Sequence, residues 1–455
     1  MAETKKQDMG TGSVKRKMVQ LAVPAVVAQV INLLYNIVDR IYIGHIPGIG
    51  AHALTGVGLF TPILMLITAF AMLAGSGGAP LAAIAMGRGE QDRAEKIMGN
   101  CFTVLLLMAV VLTGVFCAFI PELIRLFGGS GNTIPYGVSY GRIYSLGSVF
   151  VLVVMGMNPF ITTQGFAKIS MLTTVIGAVI NIILDPILIF ALDLGVAGAA
   201  IATVLSQAVS AVWILRFLTG KKTMLKLRFG NMILEPGVIL PCLGLGVSSF
   251  VMVSTESILS VSFTSSLFRY GGDVAVGAMT VLTSVNQVIS MPLVGICQGG
   301  QPLMSYNYGA GKLDRVKEAF LCQFTVCVSY ATVFWVLVQL FPSFFAGIFT
   351  NEQALVDYTA WAMRIFLAGC FSVGFQNSCQ QAFVALGQAK ISLFMACLRK
   401  LILLIPLIFI LPNFFQNKAM AVFLAEPVSD ILAAAAATTA FFLFFRRLMK
   451  TGKAE

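Results

Sequence analysis

Charged residues are scarce in this sequence of 455 residues: Asp, Glu, Lys and Arg together make up 11%, whereas hydrophobic residues make up 58%. An ordinary soluble domain contains about 25% charged residues. A soluble chain of this length could not bury so much apolar surface and still cover itself with polar groups. The composition therefore excludes a cytosolic enzyme, a nucleic-acid-binding domain and a secreted disulfide scaffold.

Histidine and paired cysteine are also rare. The only two histidines, His45 and His52, fall in one short loop, and the nine cysteines form no Cys-x-x-Cys pair. Most cysteines lie within apolar runs, which is typical of small core residues. Neither a His-Glu-x-x-His motif, a Cys/His cluster nor a Ser-His-Asp set is available. We therefore expect a protein that is not an enzyme and holds no cofactor or resident metal.

Long apolar runs are what the sequence has instead. Runs of about 20 residues match a membrane-spanning helix, whereas the strands of a membrane barrel are about half as long. Twelve such runs are predicted, near 18–43, 53–84, 97–120, 136–160, 169–192, 196–218, 237–267, 275–306, 319–342, 355–386, 391–412 and 419–445. Every second loop is rich in Lys and Arg, which places both termini in the cytoplasm by the positive-inside rule. We expect a multi-pass protein of the plasma (inner) membrane that contacts lipid, binds no nucleic acid and works as a monomer.

The chain repeats itself with an offset of 222 residues. Residues 77–93 read GGAPLAAIAMGRGEQDR and residues 299–315 read GGQPLMSYNYGAGKLDR, with eight identities in seventeen positions. Because the repeat contains six spans, both halves start on the same side and are related by an axis along the membrane normal. We expect an all-α protein of two six-helix lobes, 1–218 and 237–455, joined by a cytoplasmic linker at 219–236 and separated by a central cleft. The glycines of the repeat lack the Lys-Ser/Thr of a phosphate loop and predict close helix packing.

Acidic residues inside the spans are the main functional candidates, because a carboxylate in a bilayer is costly. Polar residues form one helical stripe in each of two spans: Gln29, Asn32, Asn36 and Asp39 in the first, and Thr174, Asn181 and Asp185 in the fifth. Pro186 also frees the backbone carbonyl of Ile182. Together these oxygens suit a Na⁺ ion or a carried proton at Asp39, Asn181 and Asp185. The alternatives are an interfacial role for Asp39 beside Arg40 and a packing hydrogen bond for Asp185.

The second half carries a different set of charges within its spans: Glu256, Arg399, Lys400, Glu426 and Asp430. Two adjacent cations in mid-membrane need counter-charges, which Glu256 or Asp430 can supply. Either the group is a structural ion-pair network, or it contacts a cationic substrate; the structural interpretation is favoured for Asp430 and both stay open for Glu256. Other polar residues are expected along the cleft: Tyr35, Asn36, Gln287 and Gln376.

Four segments resemble the multidrug and toxic compound extrusion (MATE) family, within the larger group that includes lipid-linked oligosaccharide flippases. They are LYNIVDRIYIGHIPG at 34–48, ALTGVGLFTPI at 53–63, NIILDPILIFALDLGVAGAAIATVLSQ at 181–207 and GICQGGQPLMSYNYGAGKLDRVKEA at 295–319. The resemblance implies an outward-opening V that exports cationic drugs or dyes in exchange for inward Na⁺ or H⁺. Carried over by position, the cation site comprises Asp39, Asn181, Asp185 and Thr203. The acidic residue that other branches have on the tenth span is absent from residues 369–386, which favours a site in the first half.

The leading hypothesis is therefore a secondary antiporter for amphipathic cationic drugs, working by alternating access. A lipid or oligosaccharide flippase is the alternative, in which Arg142, Arg364 and Arg399 would meet a pyrophosphate. A membrane-embedded enzyme or receptor would need a reactive constellation or a large soluble domain, and neither is visible. The sequence leaves open the substrate and the choice between Na⁺ and H⁺.

Overall fold

The computed structural model describes residues 9–349 and 352–451, which are predominantly helical. Helices are what the long apolar runs require, because a bilayer offers no water to backbone N–H and C=O groups. The α-helices in chain order are α1 (Val14–Gly44), α2 (Gly50–Gly87), α3 (Gln91–Leu126), α4 (Ile134–Leu146), α5 (Ser148–Thr163), α6 (Ala167–Pro186), α7 (Gly195–Leu218), α8 (Pro236–Gly309), α9 (Leu313–Leu340), α10 (Pro342–Gly347), α11 (Gln353–Phe366), α12 (Cys370–Ala385), α13 (Ala389–Cys397), α14 (Ile405–Ile410) and α15 (Lys418–Thr451). Two π-helical segments, Ile187–Ala191 and Leu398–Leu404, continue α6 and α13, and two 3₁₀ turns occur at Phe229–Met232 and Leu411–Asn413.

The helices of the described ranges account for the twelve predicted crossings. Nine of these helices are long and apolar enough to span a membrane, and the bent pairs α4–α5 and α11–α12 bring the number to eleven. The 74-residue helix α8 is far longer than one crossing and breaks at Gly272, where φ is +64°. It therefore supplies two crossings, and the count reaches twelve.

Buried apolar side chains form two separate clusters, one in each half of the chain. The first cluster lies almost wholly between Ile43 and Leu227, and the second almost wholly between Leu259 and Leu448. The first crossing of each half reaches into the other half's cluster: residues 14–22 of α1 join the second, and Ile239 of α8 joins the first. The two halves are thus held together by an exchange of their leading helices.

Glycines of the internal repeat lie where the two halves touch. A Cβ atom on Gly87 would collide with the carbonyl oxygen of Tyr306, and one on Gly309 would collide with that of Ile84. These two contacts are equivalent under the 222-residue offset, because Ile84 corresponds to Tyr306. Gly77 meets the backbone of Cys242 in the same way. The predicted close packing is therefore confirmed, and it closes one end of the boundary between the halves.

The closed end also carries the linker and the basic loops; we call it the linker side. The side-chain oxygen of Gln164 accepts hydrogen bonds from the backbone N–H groups of Met224 and Leu225, at 2.6 and 2.9 Å. In the other half, Arg315 donates to the carbonyl oxygens of residues 9, 11 and 12. The segment that precedes each leading helix is therefore fastened to the half into which that helix reaches.

Candidate functional site

Four helices of the first half bring polar side chains to one buried place. Asp39 comes from α1, Asn181 and Asp185 from α6, and Thr203 from α7; Tyr140 comes from α4. Asn181 and Asp185 are one turn apart, and the amide of Asn181 donates to Oδ1 of Asp185 at 3.2 Å and to Oγ1 of Thr203 at 3.4 Å. The α-helix ends just after Asp185, at Pro186, and a π-helical segment follows, a feature that often marks functional sites.

The carboxyl groups of Asp39 and Asp185 face each other within hydrogen-bonding range. Asp185 has no exposed surface and Asn181 is 1% exposed. Among the described residues, no N–H or O–H group donates to Oδ1 of Asp39, Oδ2 of Asp185 or Oδ1 of Asn181, and all three oxygens are buried. Leaving a buried acceptor unsatisfied costs about 1–3 kcal/mol, and more when it is charged. Three such oxygens at one place form a site suited to a small cation or a proton.

No basic side chain of the described chain forms a salt bridge with this pair. The salt bridges within residues 9–349 and 352–451 involve neither Asp39 nor Asp185. Arg40 follows Asp39 in sequence, but its side chain is exposed and it makes no salt bridge with Asp39. Arg40 therefore acts on Asp39 only at a distance, and Asp185 makes no salt bridge with any basic residue of the described chain.

Tyrosine side chains complete the wall of the site. Tyr35 lies beside both carboxyl groups, and the hydroxyl of Tyr140 forms a hydrogen bond with Thr203. Tyr144 stacks on Tyr140, with 6.0 Å between ring centroids, and Phe60 packs edge-on against both rings. Tyr140 and Tyr144 are not among the residues predicted from the sequence. They are four residues apart and share one face of α4, but that spacing alone does not assign them to the site.

The remaining candidates are dispersed. Gln29 begins the polar stripe of α1 and donates at 3.0 Å to Gln298 of the other half, so the stripe serves both the inter-half contact and the site. Asn36 is exposed and donates to the carbonyl oxygen of Asn32 at 2.6 Å. Gln287 is exposed, whereas Gln376 of α12 is 2% exposed and is buried between helices, so it does not line an open cleft.

The charged residues of the second half form one cluster. Arg399 contacts Asp430 at 2.8 Å and Glu426 at 3.4 Å, and Lys400 pairs with Glu256. Both cations lie in the π-helical segment Leu398–Leu404, whose widened turn lets two consecutive side chains reach acidic partners on α8 and α15. The hydroxyl of Ser429 donates to the carbonyl oxygen of Arg399 at 2.9 Å. Both of the predicted counter-charges are therefore present, together with Glu426.

The sequence model of the MatE family matches this chain twice, over residues 24–187 and over residues 247–410. The chain belongs to the MatE family. The two matched segments are offset by 223 residues, close to the offset of the internal repeat. Each MatE segment begins in the leading helix of one half and ends beyond the site of that half, at Ile187 after Asp185 and at Ile410 after Lys400.

Known MatE relatives extend over most of the chain. The multidrug export protein MepA of Staphylococcus saprophyticus is 24% identical over 407 residues, covering 89% of this chain and 88% of MepA. The probable multidrug resistance protein YoeA of Bacillus subtilis is 27% identical over 371 residues, covering 78% and 79%. A solved structure of a multidrug resistance MATE family transporter in an outward-facing conformation matches with a TM-score of 0.92 at 23% identity, covering 98% and 99%. This match confirms the predicted two-lobed helical fold.

Proposed function

We propose that this chain is a secondary active exporter of amphipathic organic cations, driven by the inward movement of a cation. The observation that carries the proposal is the pair of facing carboxyl groups at Asp39 and Asp185, each with a buried oxygen that no described donor reaches, and neither in a salt bridge within the described chain. Such a pair in a membrane protein is costly unless it takes up and gives back a positive charge. The relatives that are named multidrug exporters supply the substrate class.

The coupling ion bound here would be monovalent. Two carboxyl groups, the free Asn181 oxygen and the hydroxyl of Thr203 offer hard oxygen ligands with at most two negative charges. The described residues hold no group of three or more His, Cys, Asp or Glu side chains that would suit a multivalent metal. Sodium ligation by these oxygens and protonation of one carboxyl group both remove the repulsion between the two aspartates.

Coupling follows from where the two aspartates lie. Asp39 is on α1, which reaches into the second half, whereas Asp185 is on α6 of the first half. A cation between them draws α1 towards α6, and its departure lets the two carboxylates push α1 away. One charge entering down a potential of 100 mV provides about 2.3 kcal/mol. For a substrate without net charge that is enough for roughly 50-fold outward accumulation. For a monovalent organic cation exchanged one for one, no net charge moves, and the concentration gradient of the coupling ion drives export.

Orientation follows from loop charge. The linker side carries the basic loops, so it faces the cytoplasm and both termini are cytoplasmic, as expected in a bacterial plasma membrane. The close glycine contacts at Gly87 and Gly309 then lie at the cytoplasmic end, as a transporter open to the outside requires. The single chain contains both halves of the transport pathway, so a monomer suffices.

The flippase alternative is weaker. It needs arginines available to a pyrophosphate, but Arg399 is held between Glu426 and Asp430. The cluster around Arg399 contains more carboxylates than cations, which repels a polyanion.

Reconstituted vesicles test the proposal. Ethidium export from proteoliposomes is followed while a Na⁺ gradient and a pH gradient are imposed separately. We expect inward movement of one of these ions to accelerate export, and the acceleration to disappear in the Asp39→Asn and Asp185→Asn variants. The proposal would be contradicted if the wild-type protein moved dye independently of both gradients, or if both variants still exported dye in response to the ion gradient.

A further inference from the structure

The charged cluster of the second half is not balanced. Its two cations, Arg399 and Lys400, face three carboxylates, Glu256, Glu426 and Asp430. In their ionised forms these groups leave one excess negative charge inside the membrane region. An excess charge within a membrane-spanning region is stabilised when the cluster meets a further positive group during its working cycle.

The cluster is open at one residue. The side chains of Lys400 and Asp430 are 5% and 6% exposed, and those of Arg399 and Glu426 are 14% and 11% exposed, whereas the side chain of Glu256 is 52% exposed. Lys400 therefore approaches Glu256 from the interior, and much of the Glu256 carboxylate remains accessible from outside the cluster.

The accessible side chain of Glu256 lies on a stretch of α8 that packs against the first half. A half-exposed carboxylate in a membrane span does not face hydrocarbon, so it must face water or protein. Its neighbours on α8 contact α2 of the first half: the Phe250 ring lies 5.0 Å from that of Phe70, and Ser257 contacts Met65 at 3.8 Å. Glu256 thus lies on the helix that meets α2 of the first half, at the boundary between the halves.

Lys400 retains a second hydrogen-bond acceptor when another cation occupies Glu256. Its ammonium group donates to the carbonyl oxygen of Met252 at 2.5 Å, one turn before Glu256. Loss of the Glu256 contact therefore does not leave the ammonium group without a hydrogen-bond acceptor, and Glu426 still attracts it electrostatically.

From this arrangement we propose that Lys400 is a tethered counter-ion that occupies the place of the substrate's cationic group on Glu256. This inference rests on the proposed function. A cationic substrate binds by displacing the ammonium group of Lys400 from Glu256, and Lys400 returns when the substrate leaves. The lysine weakens the binding of cations through competition and promotes their release, whereas the binding of neutral molecules, which do not compete for Glu256, does not depend on it.

The test compares binding of a permanent monovalent cation, ethidium, with binding of a neutral dye, Nile red, to the purified full-length chain. Lys400→Gln frees Glu256, and Lys390→Gln removes an exposed lysine from the same span as a matched control. We expect Lys400→Gln to tighten ethidium binding at least fivefold, with Nile red binding and the Lys390→Gln control unchanged. Unchanged or weaker ethidium binding by a folded Lys400→Gln variant, or an equal gain for both dyes, would overturn the proposal.

A second variant tests the proposal even if Lys400→Gln does not fold. Glu256→Gln combined with Lys400→Gln removes both charges and leaves no unpaired ion at this pair. We expect it to bind ethidium more weakly than the wild-type chain, whereas a purely structural ion pair predicts no difference. Failure of the wild-type chain to bind ethidium at all would count against the proposed function itself, and is thereby distinguishable from failure of the role given to Lys400.

Discussion

Replacing Asp185 by Asn should separate stability from transport. The new amide has the shape of the carboxyl group, so Asn181 can still donate to its oxygen, as it does at 3.2 Å in the native chain. The new N–H group would also donate to the buried Oδ1 of Asp39, which no described donor reaches. Folding therefore loses a like-charge contact and gains a hydrogen bond, and we expect the melting temperature to stay the same or rise.

Cation binding should fall steeply in the same variant. Two charges about 4 Å apart interact by about 4 kcal/mol at an effective dielectric constant of 20. A cation that loses one of two such carboxylates therefore loses up to about 4 kcal/mol, or roughly a thousandfold in affinity. Ion-driven export should be undetectable at physiological ion concentrations, although the protein is stable.

The assay pairs ethidium efflux from cells with the melting temperature of purified protein. Asp193→Asn is the control, because this exposed residue lies just beyond the site and makes the same change of charge. Its φ of +52° is one that Asn adopts readily. The reasoning is refuted if Asp185→Asn exports normally, or if its loss of export accompanies a drop in melting temperature that the control does not show.

Three further predictions concern other parts of the structure. Gly87→Ala should open the linker side, because the new Cβ meets the Tyr306 carbonyl. Maleimide labelling of the buried Cys242, corrected with a Cys242→Ser variant, should therefore rise. Gly58→Ala, whose Cβ meets no atom within 4 Å, should leave the labelling unchanged. Tyr140→Phe removes the hydroxyl that contacts Thr203. Loss of one hydrogen bond of about 1 kcal/mol should raise the concentration of coupling ion needed for half-maximal export about fivefold, whereas Tyr136→Phe should not change it. Equal effects of the two substitutions would contradict this role of Tyr140. Arg399→Gln leaves Glu426 and Asp430 unpaired and should lower the free energy of unfolding by about 3–5 kcal/mol. The melting temperature should fall, and the additional substitutions Glu426→Gln and Asp430→Asn should together restore it. An unchanged melting temperature of Arg399→Gln would show that the network is not structural.

The repeat and the crossings were predictable from the sequence because hydropathy and residue identity are local properties. The bends within two of the crossings could not be predicted from the sequence. The predicted span 136–160 is two helices that meet at Gly147 with a bend of 57°, and the pair α11–α12 bends by 47°. Gly147 packs against Val204 and Gly369 against Pro427, so each bend depends on contact with another helix. The two glycines are equivalent under the 222-residue offset, which no inspection of one span reveals.

The candidate site was predictable in part for the same reason. Asp39, Asn181 and Asp185 stand out because polar residues recur along one helical face of an apolar span. Tyr140 and Tyr144 do not, since tyrosine is common in membrane helices and their role depends on where α4 packs. Likewise, the sequence places Lys400 near mid-membrane, but only the fold shows that Glu256 is its partner while Arg399 takes Glu426 and Asp430.

Direct measurement of cation binding tests the central claim that Asp39 and Asp185 together hold the coupling ion. Purified protein is equilibrated with radioactive Na⁺ in one experiment and titrated with acid in another, and each is compared with the Asp39→Asn/Asp185→Asn double variant. The account predicts one Na⁺ bound per wild-type chain, or one proton more than the double variant takes up, and no ion bound by that variant. Equal Na⁺ binding and equal proton uptake by the two proteins would contradict it.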